Sequence, residues 1–144
     1  MPSLTPLLAN FSHDELALLS SFGDSRSYAE DEILIRQGEE NDHLFLVLKG
    51  RLDVLQDVDG FNKKVATLEP GDSLGEVSVF DPGPASATVR SCGESEVWLI
   101  TSEGLDRLHS ASPKVAYRLL SRITTCLSKR LRMMNDKVVD LVNR

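Results

Sequence analysis

Three histidines, two cysteines and one loop are the places where this 144-residue chain could carry chemistry. A nucleophilic triad needs Ser or Cys near His and a carboxylate, but His13, His43 and His109 lie in unrelated segments, none in a Gly-x-Ser-x-Gly setting. The chain is therefore expected to hold no catalytic residue. The same histidines lack the close pairing of metal ligands, so no metal site is expected. Cys92 and Cys126 stand far apart without CxxC spacing and read as reduced thiols. Neither a GxxxxGK[ST] loop nor a dinucleotide fingerprint is present. What remains is "GEVSVFDPGPASATVRS", Gly75 to Ser91. It looks like an anion-binding loop with a carboxylate at Glu76 and neutral hydroxyl donors at Ser78 and Ser86, yet no cation before Arg90.

The elements that must position this loop follow from periodicity. "SHDE" opens an amphipathic helix, with Ser12 as N-cap, Glu15 three residues on, and Leu16, Leu19 and Phe22 at helical spacing. From Ser25 to Ile100 the pattern becomes short β-rich runs such as "HLFLVLKGRLDVLQDV", "SATVRS" and "EVWLI", separated by Gly, Pro, Asp and Asn. Regular turn signals between short strands predict a sandwich or roll. After "LITSEGLDRLHSASP" the chain returns to helix, and Pro113 opens a helical stretch to the C-terminus, where Pro in the first turn leaves no donor unpaired. We expect one domain over 1–112 and a long helix over 113–144.

That helix has a second pattern. Tyr117, Leu120, Thr124, Leu127, Leu131, Met134, Val138 and Leu141 recur at alternating spacings of three and four, a heptad seam that wants a partner helix. The dimerisation residues expected from it are Leu120, Thr124, Leu127, Leu131, Met134, Val138 and Leu141, and the partner is a second copy of the chain. Folding back of the whole helix as core is the alternative.

Composition sets the class. Hydrophobic residues at 41% and charged residues at 26% are near globular averages, so the chain should be folded along most of its length. No apolar run nears the roughly 20 residues of a membrane span, and the N-terminus has no basic signal-type region, so a cytoplasmic protein without membrane contact is expected. Net charge is 16 minus 22, or −6. From Lys114 to Arg144 eight Lys/Arg stand against two Asp/Glu (+6), and the preceding residues hold eight against twenty (−12). Such a tail suits contact with nucleic acid or an acidic partner, or else a solvated helix near its own acidic body.

Two glycine-punctuated frames carry a resemblance. Gly38, Glu39, Asp42, Phe45, Lys49 and Gly50 form one; Pro70, Gly71, Asp72, Gly75 and Glu76 form the other. Over nearly all its residues the chain resembles the cyclic nucleotide-binding domain family, in particular the sensor half of bacterial catabolite-activator-like regulators. The resemblance implies a mainly β fold with flanking α: an eight-stranded β-roll (double-stranded β-helix, or jelly roll) with a short N-terminal helix and a long C-terminal dimerisation helix. The family's cassette reads roughly F-G-E-[LIV]-[AG]-L, an insert, then P-R-A-[AS]-[TS]-V. Here Leu74, Gly75, Glu76, Val77 and Ser78 match the first part, and Pro84, Ala85, Ser86, Ala87, Thr88 and Val89 the second.

The match implies that Glu76 accepts a hydrogen bond from a ribose hydroxyl and that backbone N–H groups near Val77 and Ser86 face a cyclic phosphate. Ala85 takes the place of the family's arginine. Arg90, five residues on and about 16 Å along an extended strand, points to the opposite face and does not replace it. Met134 and Asn135 fall where the family's helix contacts the purine. The resemblance thus implies a non-enzymatic regulatory module without a cofactor, whose ligand is either a cyclic nucleotide, bound weakly or atypically, or something else in the same cavity. A ligand-free dimeric scaffold, or a module docking an unknown protein, is the alternative. The family's DNA-reading step needs a helix-turn-helix after the long helix, so direct DNA binding is not expected unless the chain is a fragment of a longer regulator.

Overall fold

A computed structural model describes residue 8 and residues 11–75 and 83–143. The capping box predicted at Ser12 forms: the Glu15 N–H donates to Ser12 Oγ (3.2 Å), and the Ser12 N–H donates to Glu15 Oε1 (2.9 Å). It opens helix α1 (His13–Phe22), which buries Leu16 and Leu19. Strands β1 (Asp24–Tyr28), β2 (Ile33–Ile35), β3 (His43–Val58), β4 (Phe61–Leu68), β5 (Ser73–Leu74) and β6 (Thr88–Thr101) follow, then helices α2 (Ser102–Ala111) and α3 (Pro113–Val142). The strands form one antiparallel sheet in the order β1-β6-β3-β4, with β2 also on β6 and β5 also on β3.

Six described strands stand where eight were expected, and the reason lies in β3 and β6, which run 16 and 14 residues. Each bends without a turn, so each serves as two strands of a roll. The β3–β6 register slips between Val47 and Lys49 and again between Lys49 and Arg51. Gly50 sits at this bend with φ 81°, and a Cβ there would lie 2.4 Å from the Glu94 carbonyl oxygen. Such bulges bend a strand and shift which residues face inward.

Alternation along β3 builds two cores. Leu44 and Leu46 point to the helices and join Trp98, Ile100, Leu108, Leu119 and Ile123. Phe45 and Val47 point into the roll, with Leu74, Val89, Val97 and Leu99. Beyond the bend the inward parity changes, and Leu52 joins the second cluster.

Helix α3 buries Val115, Ala116, Leu119 and Ile123, one stripe at helical spacing, and every described residue from Leu131 on is exposed. Its first turns are clamped to α1. Arg118 Nη1 donates to both Glu15 oxygens (2.5 and 2.6 Å), and its guanidinium carbon lies 4.6 Å over the Phe11 ring. The Ser12 backbone N–H and then Arg118 hold the Glu15 carboxyl at about 2, against an ordinary 4.5. A depressed carboxylate stabilises the fold above its unfolded value and loses that contribution as pH falls through its folded one. Glu15→Gln is therefore expected to lower the melting temperature at pH 7, with the gap to wild type closing between pH 4.5 and pH 2 in thermal scans.

Candidate functional site

The Pro70-Gly71-Asp72 turn is stitched to the middle of β3. Asp72 Oδ2 accepts from the Glu69 N–H (2.9 Å), the Val47 N–H donates to the Asp72 carbonyl (2.9 Å), and the Gly71 N–H donates to the Val47 carbonyl (3.0 Å). β5 then pairs Leu74 with Phe45 and delivers the chain to Gly75. Gly75 has φ 80°, and a Cβ on it would lie 2.3 Å from the His43 carbonyl oxygen, which the Asn41 amide also engages at 2.8 Å. Only glycine fits this entrance to the loop. Gly75→Ala should cost at least about 1–3 kcal/mol from backbone conformation alone, measurable by urea titration.

The far side of the loop is equally pinned. Pro84 bridges to Glu40, the Gly38 N–H donates to the Ala85 carbonyl (2.8 Å), and the Ala85 N–H donates to the Glu39 carbonyl (2.8 Å). The Gln37 N–H donates to Thr88 Oγ1 (3.0 Å), and Gln56 Nε2 reaches the Ser86 carbonyl at 3.4 Å. The first glycine frame thus holds the second half of the cassette turn through backbone bonds. Ala85 is half-buried and packs against the roll's inner core cluster. Ser86 is exposed and Ala87 half-buried.

Of the sequence-predicted ligand residues, Gly75, Ala85, Ser86 and Ala87 sit at the two ends of this loop. Glu76, Val77 and Ser78 lie outside the described residues. Met134 and Asn135 are exposed on the free part of α3. Arg90 Nε lies 3.8 Å from Asp31 Oδ1, on the strand face opposite the buried Val89. Among the dimerisation residues, Leu120 and Leu127 lean on the first core cluster, and Thr124 is exposed with its hydroxyl on the Leu120 carbonyl (2.8 Å). Leu131, Met134, Val138 and Leu141 are the exposed apolar residues of the seam, whereas Leu120 and Leu127 are half-buried against the chain's own body.

Sequence reasoning missed Arg130. Its Nη2 donates to the Ser73 carbonyl at 2.5 Å, tying α3 to the strand that leads into the loop. The signal was its place in line with Leu119, Ile123 and Cys126 on the helix face that meets the body. Among the described residues no group of three or more His, Cys, Asp and Glu could hold a metal ion, and no helix is long and apolar enough to cross a membrane. An open groove of about 560 Å³ between α1 and α2, lined by Phe22, Glu103, Asp106, Arg107, Ser110 and Ala111, shares no residue with the loop.

Known proteins resemble this chain in sequence and in fold. The chain is 32% identical over 116 residues to the cAMP-activated global transcriptional regulator CRP of Salmonella typhimurium, covering 79% of this chain and 53% of that protein. It is 27% identical over 107 residues to a CRP-like cAMP-activated global transcriptional regulator of Mycobacterium tuberculosis, covering 74% and 46%. It spans about half the length of these curated relatives. A solved cyclic nucleotide-binding domain from Methylobacillus flagellatus superposes with a TM-score of 0.83 at 26% identity, covering 94% of this chain and 77% of that one. The sequence profile described as cyclic nucleotide-binding domain matches residues 25–112, from β1 to the residue before α3. With a roll, a glycine-framed loop and a profile match over more than half its length, the chain belongs to the cyclic nucleotide-binding domain family.

Proposed function

We propose that the chain is the sensor module of a homodimeric regulator, taking a nucleotide-like ligand in the roll and binding it weakly because Ala85 stands at the cassette's arginine position. The observation that carries this reading is the turn at Ala85, whose backbone is held by Gly38 and Glu39 while its side chain offers a methyl group in place of a guanidinium. The relatives that carry cAMP activation in their names support the ligand class. The free seam of α3 supports the homodimer. Glu76, Val77, Ser78, Ser86, Met134 and Asn135 are the positions assigned to ligand contact, and no residue is assigned a catalytic role.

A second reading has its own support. Ala85 leans on the inner core, and its N–H and C=O are both engaged, which is how a purely structural turn is built. On that reading the roll is a ligand-free dimeric scaffold or protein-interaction module. Titration calorimetry with cyclic AMP and cyclic GMP, on wild type and on Ala85→Arg, separates the two. Weak wild-type binding that strengthens in the variant supports the sensor, and silence in both supports the scaffold.

A further inference from the structure

The β3–β4 hairpin has an inner and an outer face, and its two lysines divide between them. Alternation along β3 turns Leu52 and Val54 towards the inner core cluster, so Gln56 follows on that face. The register pairs Val54 with Ala66, Leu55 with Lys64 and Gln56 with Lys63, and Val65 is the extra residue of a bulge. Lys63 therefore shares the inner face with Gln56. Lys64 belongs to the outer face, where its Nζ lies 3.3 Å from Oδ1 of the buried Asp53.

The inner face is the one that meets the cassette turn. Val54 and Ala85 pack on the same core cluster, and Gln56 Nε2 reaches the Ser86 carbonyl at 3.4 Å. Residues directly opposite in an antiparallel pair have Cβ atoms roughly 4.5–5.5 Å apart. The lysine stem is longer than the glutamine arm beside it, so the Lys63 ammonium can swing over the turn that Gln56 already touches. Space is open there, since Lys63 and its inner-face neighbour Ala66 are both exposed. Other cations of the sheet are engaged elsewhere: Arg90 with Asp31 and Lys49 with Glu96, each at 3.8 Å, and Arg51 Nη2 with Cys92 Sγ at 3.9 Å. Among the described residues Lys63 takes part in no ion pair. An anion entering beside Ala85 would otherwise meet a methyl group and lose its hydration without a positive charge in return.

We propose that Lys63 is the phosphate-binding cation of this chain, reaching from the hairpin to the ligand's phosphodiester at the turn where Ala85 stands in the cassette's arginine position. This rests on the sensor reading above and adds the residue that carries the charge. An ammonium on a flexible stem holds phosphate as a point charge, without the two-pronged fit of a guanidinium, so the affinity it supports is weak but not absent.

NMR titration of the full chain with cyclic AMP, cyclic GMP and their uncharged nucleosides, carried to millimolar ligand, tests it. Wild type should bind a cyclic nucleotide more tightly than its nucleoside. Lys63→Met should weaken the cyclic nucleotide about tenfold and leave the nucleoside unchanged, whereas Lys63→Arg should keep the preference. Lys63→Met combined with Asp57→Asn restores the hairpin's net charge without an inner-face cation, and should stay weak. In the Ala85→Arg background the loss from Lys63→Met should shrink, because the guanidinium then carries the phosphate. Cyclic nucleotide binding that is no tighter than nucleoside binding, that Lys63→Met leaves unchanged, or that Asp57→Asn recovers, overturns the role of Lys63 and leaves the sensor standing. A wild type that binds neither cyclic nucleotide overturns the sensor and Lys63 together.

Discussion

Ala85→Arg is expected to raise the affinity for cyclic AMP or cyclic GMP at least tenfold in titration calorimetry. A hydrogen bond to a charged group contributes about 1.5–3 kcal/mol, and a guanidinium can make two to one phosphate. At about 1.4 kcal/mol per decade, the gain lies between roughly tenfold and several hundredfold. The backbone at position 85 is fixed by Gly38 and Glu39, so the new side chain starts from a defined direction. It must leave the apolar contact that the methyl group now makes, which places the gain nearer the lower end. Glu76→Gln in the Ala85→Arg background should reduce binding again by weakening the acceptor for the ribose hydroxyl. If Ala85→Arg folds and binds nothing, the scaffold reading takes over. Low-micromolar binding by the wild type makes the arginine dispensable and turns mutagenesis to Ser78, Ser86 and Asn135.

Leu131→Asp combined with Val138→Asp is expected to convert a dimer into a monomer in sedimentation at tens of micromolar. Both residues are exposed in the single chain, at 59% and 58%, so their replacement leaves the protomer's core intact. In a two-stranded seam they make two layers of two side chains, at about 1.5–3 kcal/mol for each side chain, or at least about four decades in the dissociation constant before charge repulsion is added. Leu127 is a poorer choice because it also packs on the first core cluster, and its loss would mix folding with association. A wild type that sediments as a monomer contradicts the seam.

Local rules were the legible part of the fold. The Ser12–Glu15 box, Pro113 and the β-type alternation each depend on residues within a few positions of one another, and all appear where expected. The strand count was not legible, because β3 and β6 bend through bulges, with Gly50 at the bend of β3, and a bulge leaves no periodic trace. The glycine frames indicated the loop but not why they recur together. Gly38 and Glu39 hold Ala85 by backbone bonds that span 47 and 46 residues, and Gly75 fits beneath the His43 carbonyl. Arg130 was hidden for the same reason, since its partner Ser73 lies 57 residues away and contributes only a carbonyl. Ala85 was conspicuous as a missing charge, while its packing on the inner core depends on neighbours that no local pattern names.

The sheet order has a consequence for how the protein is made. β6 lies between β1 and β3 and pairs with β2 as well, so Asp24 waits for Leu99 and Ile33 for Arg90. During synthesis the β3–β4 hairpin can zip as soon as it emerges, but among the described residues β1 and β2 have no strand partner until β6 arrives. At about 5–20 residues per second that interval lasts several seconds, with β-rich segments exposed throughout. Closure then comes in one late, long-range step of the kind that slows folding, and the nascent chain is most vulnerable to aggregation just before residue 101 leaves the ribosome.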